Sequence, residues 1–534
     1  MEAACEGSVS TSLSSLSRTC FTFVVRRLLL AGLLLASALS LPAHAATPTT
    51  VDGVPCSTGS SPETGVQGQV PLADQLSGRS KLGYSCNLRV VGANDLAGRG
   101  GDTQMTWYGD CAYRSAGGGN SVAVLDVKNP RAPRVVRFLA EPSWAGAGGT
   151  LGIHEGLTVS DQRGLLMVPL GTGLWAYDVH TCTKPRLIGH FDFGLPPGDV
   201  LKNLPRGDDG IHSGKLSPDG TLYYATDLGF GPGSPTGPCL TIVDLRSPAH
   251  MKLVTRFQPD TPCHDLSLSP DGKTAYVGYY DPTYGHPSAV VGAFTPTASS
   301  HPFSGLRIVD MTQVQAHKAK PVIPVLSTIT GGRQHTETVT RIGKRTYVIA
   351  GEEAVCPGGN GRIVDVTDPR HPVETAELPL QINQLENCAM SRSDTTNDLL
   401  LYMSHYISVD NPSNAKLAFF TWYSSGLRVF DVHDPYHPRE VAYLNVPVGQ
   451  EASVSHDSAT TYIRYLPKSG QVWFGTGIRG FVVAELAPNL RPAGPGVSRT
   501  WSVKPNVKLA TVRPLDLEEY LAAKGVKWAC SVRA

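Results

Sequence analysis

The stretch Gly305-Leu306-Arg307-Ile308-Val309-Asp310 decides the fold, because an apolar strand ending in an acidic residue recurs along the whole chain. The acidic residues lie 52 to 66 residues apart. A period of this kind indicates one supersecondary unit, repeated with loops of variable length. The seven copies end at Asp126, Asp178, Asp244, Asp310, Asp365, Asp431 and Glu485.

Each unit also contains three other apolar segments. A proline turn follows most copies, as in Asp365-Val366-Thr367-Asp368-Pro369, where the first carboxylate can accept backbone N–H bonds. A further strand comes next, and two strands joined by a tight turn such as Ser269-Pro270-Asp271-Gly272 precede the copy. Four short strands per unit and few helical patterns predict an all-β protein, a seven-bladed β-propeller with four-stranded blades.

The propeller should occupy residues 83–487, after an N-terminal segment at 46–82. A C-terminal extension, residues 488–534, contains one helical candidate, Leu515–Lys524, and can complete the last blade. Arg26 and Arg27 precede the apolar run Leu28–Leu41 and the small-x-small site Ala43-His44-Ala45, which is the pattern of a cleavable signal peptide at residues 1–45. An uncleaved interfacial anchor is the alternative. We therefore expect a secreted or periplasmic protein without a membrane span in its mature chain.

The recurring Gly-Leu-Arg-Ile-Val-Asp stretch, and Gly361-Arg362-Ile363-Val364-Asp365 with its proline turn, resemble the LVIVD-repeat family of secreted or surface β-propellers. The resemblance covers about residues 83–487. It implies the propeller fold. That family has no general assigned activity, so the resemblance implies no reaction.

Amino-acid composition and net charge limit the classes of partner that we expect. Of 534 residues, 41% are hydrophobic and 17% charged, which describes a folded globular protein. A net charge of +1 gives no electrostatic reason to expect nucleic acid or an anionic membrane as partner. We expect a monomer whose partner is a protein, a glycan or a small molecule.

Nine cysteines follow the signal segment, and none has the C-x-x-C spacing of a zinc or redox motif. In an exported protein the default expectation is disulfides. We predict the pairs Cys239–Cys263, Cys356–Cys388, Cys86–Cys111 and Cys56–Cys530, with Cys182 left unpaired.

Histidine recurs near the start of the first strand of each unit. Counting back five positions from the Ser or Thr that ends this strand finds His in four units and Glu in two. In a propeller the first strands line the central channel, so equivalent positions form a ring. The candidate ring is His154, Glu155, His212, His264, His335, Glu386 and His456, and the first unit departs from it with Ser85 and Cys86.

Imidazoles with one or two carboxylates are a ligand set for zinc, copper or iron. The alternative is structural: such a histidine can bond to backbone or to a neighbouring Asp, as in WD-repeat propellers, and His264-Asp265 and His456-Asp457 fit that role. The long connections Thr226–Cys239 and Asp281–Ser304 belong to the face on which the first strands begin, and loops on a rigid scaffold are where binding usually occurs.

Two functions follow. The first is a secreted binding or interaction module that presents this loop-rich face around the histidine-lined channel mouth. The second is a metal-dependent enzyme, a hydrolase or an oxidoreductase, with its metal held by the ring. The sequence identifies no catalytic residue and no organic cofactor, because it lacks a nucleophile elbow and a phosphate-binding loop.

Overall fold

The structure, a computed structural model, describes residues 50–116, 121–140, 155–170, 173–193, 211–226, 239–257, 263–279, 305–330, 334–354, 356–394, 402–505 and 509. Seven antiparallel sheets of at least four strands form the blades of a β-propeller, as the repeat predicts. The proposed signal peptide and the helical candidate Leu515–Lys524 lie outside the described residues.

Two short strands, β1 (Thr50–Val51) and β2 (Val54–Pro55), form a hairpin before the propeller, and β3 (Tyr84–Cys86) and β4 (Leu88–Asn94) follow. Blade 1 is β5 (Gly101–Tyr108), β6 (Cys111–Ala116), β7 (Ser121–Asp126) and β8 (Arg134–Leu139); blade 2 is β9 (Thr158–Ser160), β10 (Leu165–Leu170), β11 (Gly173–Asp178) and β12 (Arg186–Asp192). Blade 3 is β13 (Gly214–Leu216), β14 (Leu222–Thr226), β15 (Leu240–Asp244) and β16 (Lys252–Phe257); blade 4 is β17 (Cys263–Leu268), β18 (Thr274–Tyr279), β19 (Gly305–Asp310) and β20 (Val325–Thr330). Blade 5 is β21 (Gln334–Ile342), β22 (Arg345–Glu352), β23 (Gly361–Asp365) and β24 (Val373–Leu378). Blade 6 is β25 (Ile407–Val409), β26 (Leu417–Thr421), β27 (Leu427–Asp431) and β28 (Arg439–Asn445); blade 7 begins with β29 (Arg464–Leu466), β30 (Gln471–Thr476) and β31 (Gly480–Leu486).

The helices described are short and lie in connections. They are α1 (Leu72–Ser77), α2 (Thr312–Gln315) and α3 (Cys388–Asp394), with single 3₁₀ turns at Ser80–Leu82, Pro248–His250, Gln381–Asn383, Leu385–Asn387 and Pro488–Leu490.

The third strand of each blade is mostly apolar because both of its faces are buried. In β19, Leu306 and Ile308 pack against Val348 of blade 5, while Val309 packs toward blade 3 and its Ile242. Alternate side chains of one strand thus fill two inter-blade cores. This explains why apolar residues dominate the repeat on both faces of the strand.

In six blades, the aspartate that ends the third strand caps the turn that follows. Asp310 Oδ1 accepts the backbone N–H of Thr312 at 2.8 Å, and Asp431 Oδ1 accepts that of His433 at 3.1 Å. The same bond recurs at Asp126, Asp178, Asp244 and Asp365. Its prediction from the sequence is confirmed.

The ring is closed by the N-terminal part of the propeller. Strand β4 pairs with β31 and supplies the fourth strand of blade 7, so the expectation that the C-terminal extension completes this blade is wrong. The extension packs beside it instead, where Arg491 binds Glu485 at 2.8 Å. Strand β3 adds a fifth strand to blade 6 by pairing with β28. The first strand of blade 1 is therefore β5 rather than the segment at Ser85 and Cys86.

Residues 50–82, here called the N-terminal strap, are fastened to blade 6 by a buried ionic cluster. Arg428 on β27 lies between Glu63 of the strap and Glu440 on β28, with Arg428 Nη1 3.1 Å from Glu440 Oε1. Gln67 Nε2 also donates to Glu440 Oε2 at 2.6 Å. We call Arg428, Glu63 and Glu440 the strap clamp.

Four disulfides are present among the described residues. Cys239–Cys263 and Cys356–Cys388 confirm two predicted pairs. The other two are Cys56–Cys86 and Cys111–Cys182. The predicted pairs Cys86–Cys111 and Cys56–Cys530 are therefore wrong, as is an unpaired Cys182, because β3 belongs to blade 6 and lies beside the strap rather than beside β6. Cys530 lies outside the described residues.

Candidate functional site: a histidine and glutamate cluster in the channel

Strand register identifies one equivalent position in every blade, at or just before the start of the first strand. In blade 4, Leu266 pairs with Val277 in the middle of the second strand, and the position lies two residues before Leu266, at His264. The same rule locates it in the other blades. In blades 4 and 5 a β-bulge lies at this position, because the pairing skips from Cys263 to Leu266 and from Gln334 to Glu337. Bulges often redirect side chains near functional sites. The seven equivalent positions are Thr103, Glu155, His212, His264, His335, His405 and Thr461.

The backbone at these positions is held by the preceding blade. Glu155 N donates to His212 O at 2.8 Å, and Thr226 Oγ1 donates to His264 O at 2.6 Å. Gln104 Nε2 in turn donates to Glu155 O at 2.6 Å. Thr336 Oγ1 likewise binds His405 O. The carbonyl of each of these four residues thus accepts a hydrogen bond from the preceding blade. These bonds fix the backbone from which the four side chains project.

Three imidazoles converge on one carboxylate. Glu155 Oε2 lies 3.6 Å from His212 Nε2 and 3.9 Å from His264 Nδ1, and its Oε1 lies 3.3 Å from His405 Nε2. The rings of His212 and His264 meet edge to face with centroids 4.2 Å apart. These side chains come from blades 2, 3, 4 and 6, so the cluster spans the channel. We call Glu155, His212, His264 and His405 the channel cluster.

The spacing of the channel cluster suits a metal ion. Two donors bonded to one metal at about 2.1 Å with a tetrahedral angle are separated by about 3.4 Å. The distances of 3.3 to 3.9 Å from Glu155 to the imidazole nitrogens lie close to this value. One ligand atom each from Glu155, His212 and His264 can be chosen so that all three lie within 4.8 Å of one another. All four side chains are buried, which favours tight binding of an ion over solvent exchange.

A second layer of polar side chains lies one to three residues further along the same strands. Asp265 accepts hydrogen bonds from Ser213 Oγ and from the hydroxyl of Tyr462, each at 2.5 Å. Lys215 Nζ lies 3.6 Å from Asp265 Oδ2 and also donates to the Tyr462 hydroxyl. Because Lys215, Asp265 and Tyr462 belong to blades 3, 4 and 7, this layer ties opposite sides of the channel together.

Burial changes the acid–base properties of this layer. It raises the pKa of the Glu337 carboxyl well above its usual range; Asp265 adds to the effect and Lys215 opposes it. Burial also lowers the pKa of the Lys215 ammonium, against the attraction of Asp265, Glu337 and Glu155. The pKa of the Tyr462 phenol is raised by burial and by Asp265. The layer therefore favours a neutral Glu337 beneath the channel cluster.

Aromatic side chains surround His405. Its ring lies 4.5 Å from that of Tyr423 and 4.1 Å from that of Tyr406, and Tyr406 lies 4.4 Å from Tyr462. Burial, followed by the charge of Glu155, raises the pKa of the Tyr406 phenol well above its usual value. Neutral aromatic walls of this kind restrict the rotamers of a histidine and exclude water from it.

The structure brings Glu155, His212 and His264 of the predicted ring together. His335 occupies the equivalent backbone position in blade 5, but its side chain, like the whole of His154, lies outside what is described. Glu386 is exposed in the 3₁₀ turn Leu385–Asn387, in the connection between blades 5 and 6. His456 lies before blade 7, where its Nδ1 is 2.9 Å from Ser455 Oγ, and Thr461 holds the equivalent position.

Sequence reasoning missed His405, and the reason is a single substitution. In blade 3 the residue five positions after the histidine is Ser217, whose Oγ accepts the N–H of Leu222 at 2.9 Å. In blade 6 the same place is Asp410, whose Oδ1 accepts the N–H of Leu417 at 2.9 Å. A count that allowed Asp beside Ser and Thr would have found His405. Glu353, which follows β22 and lies 3.8 Å from His264 Nε2, had no signal in the repeat.

Fold and site together define a class: a seven-bladed β-propeller with a buried His and Glu cluster in its channel. No family model matches the chain, and no curated protein matches its sequence. Among solved structures, the β-propeller domain of Cps50 (Swd1) from Myceliophteria thermophila is similar at 10% identity and a TM-score of 0.45, covering 72% of this chain and 96% of that one. A putative 6-phosphogluconolactonase from Bacteroides uniformis is similar at 13% identity and a TM-score of 0.36, covering 52% and 70%. Likeness at this level carries no argument about function.

Proposed function

We propose that the protein holds one transition metal ion, zinc, copper or iron, in its channel and acts as a metal-dependent enzyme. The observation that carries this proposal is the channel cluster, in which one carboxylate lies within 3.9 Å of three imidazole nitrogens from three other blades. Neutral imidazole and carboxylate are suitable donors for these metals. Glu155, His212, His264 and His405 would be the protein ligands.

Charge supports the same proposal. The carboxylates of Glu155, Glu353 and Asp265 are buried in or beside the described part of the channel, where Lys215 Nζ lies 3.6 Å from Asp265 Oδ2. A divalent cation at the channel cluster would be attracted by these acidic groups.

A metal ion on this site would polarise a bound oxygen atom, which is hydrolase chemistry, or the metal would change its own oxidation state, which is oxidoreductase chemistry. The chain's own residues would orient and shield it: Tyr423 and Tyr406 flank His405, and the Lys215, Asp265 and Tyr462 layer closes the channel beneath. A substrate would then approach from the loop-rich face, on which the first strands begin.

Elemental analysis of the purified full-length protein tests the metal. We expect about one equivalent of zinc, copper or iron, lost in the double variant His264→Ala, His405→Ala. The matched control is His371→Ala, His437→Ala, because both of these histidines are exposed and pair with an Asp of their own turn. Wild-type protein that stays metal-free when supplied with each of the three metals would remove the proposal.

An interaction module is the second candidate, and exposed apolar side chains on the loop-rich face favour it. Leu76 is 80% exposed and Leu385 is 67% exposed. Both are in connections of that face, since Gln75 beside Leu76 bonds to Asp394 O between blades 5 and 6. This candidate predicts that the variant Leu76→Ser, Leu385→Ser loses ligand binding while a chelator leaves it unchanged.

We also propose that the protein works outside the cytoplasm and that it belongs with the LVIVD-repeat propellers. Four disulfides support the first point, because such bonds persist in oxidising compartments. Among the described residues, no helix is long and apolar enough to cross a membrane. Amino-terminal sequencing of the exported protein should find Ala46 first, and a chain that retains Arg26 would contradict cleavage.

A further inference from the structure

His264 lies between two carboxylates, with one facing each of its ring nitrogens. Its Nδ1 lies 3.9 Å from Glu155 Oε2, and its Nε2 lies 3.8 Å from Glu353 Oε2. Both carboxylates and the imidazole are buried. A neutral imidazole carries only one N–H, so one nitrogen can donate a proton and the other must present a lone pair.

The surroundings decide which nitrogen is which. On the Nδ1 side, Glu155 also has His212 Nε2 at 3.6 Å and His405 Nε2 at 3.3 Å, so this is where the donor atoms of three blades converge. A lone pair on Nδ1 is needed if His264 is to join them as a ligand. The proton then belongs on Nε2, toward Glu353.

The chain holds Glu353 in place through its neighbour Glu352. Glu352 Oε2 accepts the N–H of Gly359 at 3.1 Å and that of Asn360 at 3.3 Å, and Arg362 Nη2 lies 3.7 Å away. The backbone N–H of Glu352 donates to Ser404 Oγ at 2.8 Å, which ties this turn to the residue before His405. Of two consecutive glutamates, one therefore fixes the turn and the other faces the channel histidine.

We propose that Glu353 is a positioning residue, which keeps the proton of His264 on Nε2 and thereby directs Nδ1 at the metal; this rests on the metal site proposed above. Carboxylates in this role commonly orient metal-bound histidines and raise their basicity. Glu353 need not touch the metal. Glu353 would thus contact His264 at Nε2, and His264 would contact the metal at Nδ1.

Two measurements test this proposal. In metal-free, histidine-labelled protein, nitrogen NMR should show His264 protonated at Nε2, with the signal assigned by its loss in His264→Asn. In Glu353→Gln the proton should shift toward Nδ1. The affinity for zinc, measured by chelator competition, should fall about 10- to 100-fold.

Glu374→Gln is the matched control, because Glu374 is an exposed carboxylate of the same blade that pairs with Arg362, and it should leave both the His264 tautomer and the zinc affinity of the folded protein unchanged. A wild-type His264 protonated at Nδ1, or an unchanged tautomer and affinity in Glu353→Gln, would overturn the proposal. The failures of the two proposals are distinguishable. If wild-type protein binds no metal, the metal function fails and the role of Glu353 fails with it; if it binds metal while Glu353→Gln changes neither the tautomer nor the affinity, only the role of Glu353 fails.

Discussion

The strap clamp and the channel cluster both bury glutamate side chains, but arginine is the partner in the clamp and imidazole is the partner in the channel cluster. In the clamp, Arg428 Nη1 lies 3.1 Å from Glu440, its Nη2 binds Glu63, and its Nε donates to Ser425 O at 2.8 Å. In the channel cluster, Glu155 faces three imidazoles at 3.3 to 3.9 Å. An arginine has no lone pair to offer a metal, whereas carboxylate and imidazole are metal donors, so the channel cluster has the composition of a ligand set.

Buried glutamates therefore occur both in a cluster that holds the fold together and in the candidate site. Burial raises the pKa of Glu440 to about 7, with Arg428 opposing the rise. For Arg428, burial lowers the pKa, but Glu63 and Glu440 outweigh it and the net shift is upward. The two regions differ in the partner of the buried glutamate, which is arginine in the clamp and imidazole in the channel cluster, so substitutions at each should separate stability from metal binding.

The largest effect is expected on metal affinity. Glu155→Gln removes the carboxylate shared by three imidazoles, and we expect zinc affinity to fall by at least about 100-fold, since a missing ligand should cost more than a missing outer-shell partner. Glu63→Gln, the matched change in the strap clamp, should leave zinc affinity unchanged and lower stability. Chelator competition measures the first effect and urea unfolding the second. Equal zinc affinity in the two variants would erase the distinction between the regions.

The next effect concerns the clamp. Arg428→Met leaves Glu63 and Glu440 buried without their cation, and breaking a buried ion pair in this way typically costs about 3–5 kcal/mol. Urea unfolding should show this loss. The control Arg186→Met removes an exposed arginine that pairs with Asp178 and should cost less than about 1 kcal/mol. Losses of similar size in both variants would mean that the clamp is no more than a surface ion pair.

Two disulfides sharpen the comparison, because one lies at each region. Cys239–Cys263 is adjacent to His264 and closes 24 residues, whereas Cys56–Cys86 anchors the strap and closes 30. Replacing either pair by Ala should lower the unfolding free energy by about 3 kcal/mol, as expected for loops of this length. Only the loss of Cys239–Cys263 should also weaken zinc binding. Weaker binding after loss of Cys56–Cys86 alone would tie the strap to the site.

A smaller effect is expected from pH, again at the clamp. Because the folded pKa of Glu440 is raised from 4.5 to about 7, the folded state binds more protons than the unfolded state between these values. Stability contributed by this group is therefore full below about pH 4.5 and is lost as pH rises to about 7, by about 1–3 kcal/mol. Urea unfolding as a function of pH should show this slope for wild type and a flatter one for Glu440→Gln. An unchanged slope in Glu440→Gln would assign the pH dependence to other groups.

Much of the fold could be predicted because the same strand-and-turn pattern, with the same physical cause, recurs in seven units. Runs such as Leu306–Asp310 carry apolar side chains on both faces since blades pack on both sides, and the terminal Asp is needed by the turn. Closure could not be predicted. Leu88–Asn94 has the composition of any other strand, and only completion of the ring decides that it joins blade 7.

The candidate site could be predicted to the extent that the repeat preserves register. Glu155, His212 and His264 share both the register and the Ser five positions later that marks it, and the structure places them together. In blade 6 the register marker is Asp410 rather than Ser or Thr, and helix α3 stands in the preceding connection. The count therefore stopped at Glu386, one connection too early.

The smallest effects are expected at the two ring candidates that strand register moves away from the channel cluster. Glu386→Gln should change neither zinc affinity nor stability by more than about 0.5 kcal/mol, because the side chain is exposed. His456→Gln removes the contact of a buried imidazole with Ser455 and should cost about 1 kcal/mol of stability with zinc affinity intact. Elemental analysis and urea unfolding of both variants, beside His405→Gln, separate the assignments. Metal retained in His405→Gln but lost in either of the others would restore the ring as counted from the sequence and remove His405 from it.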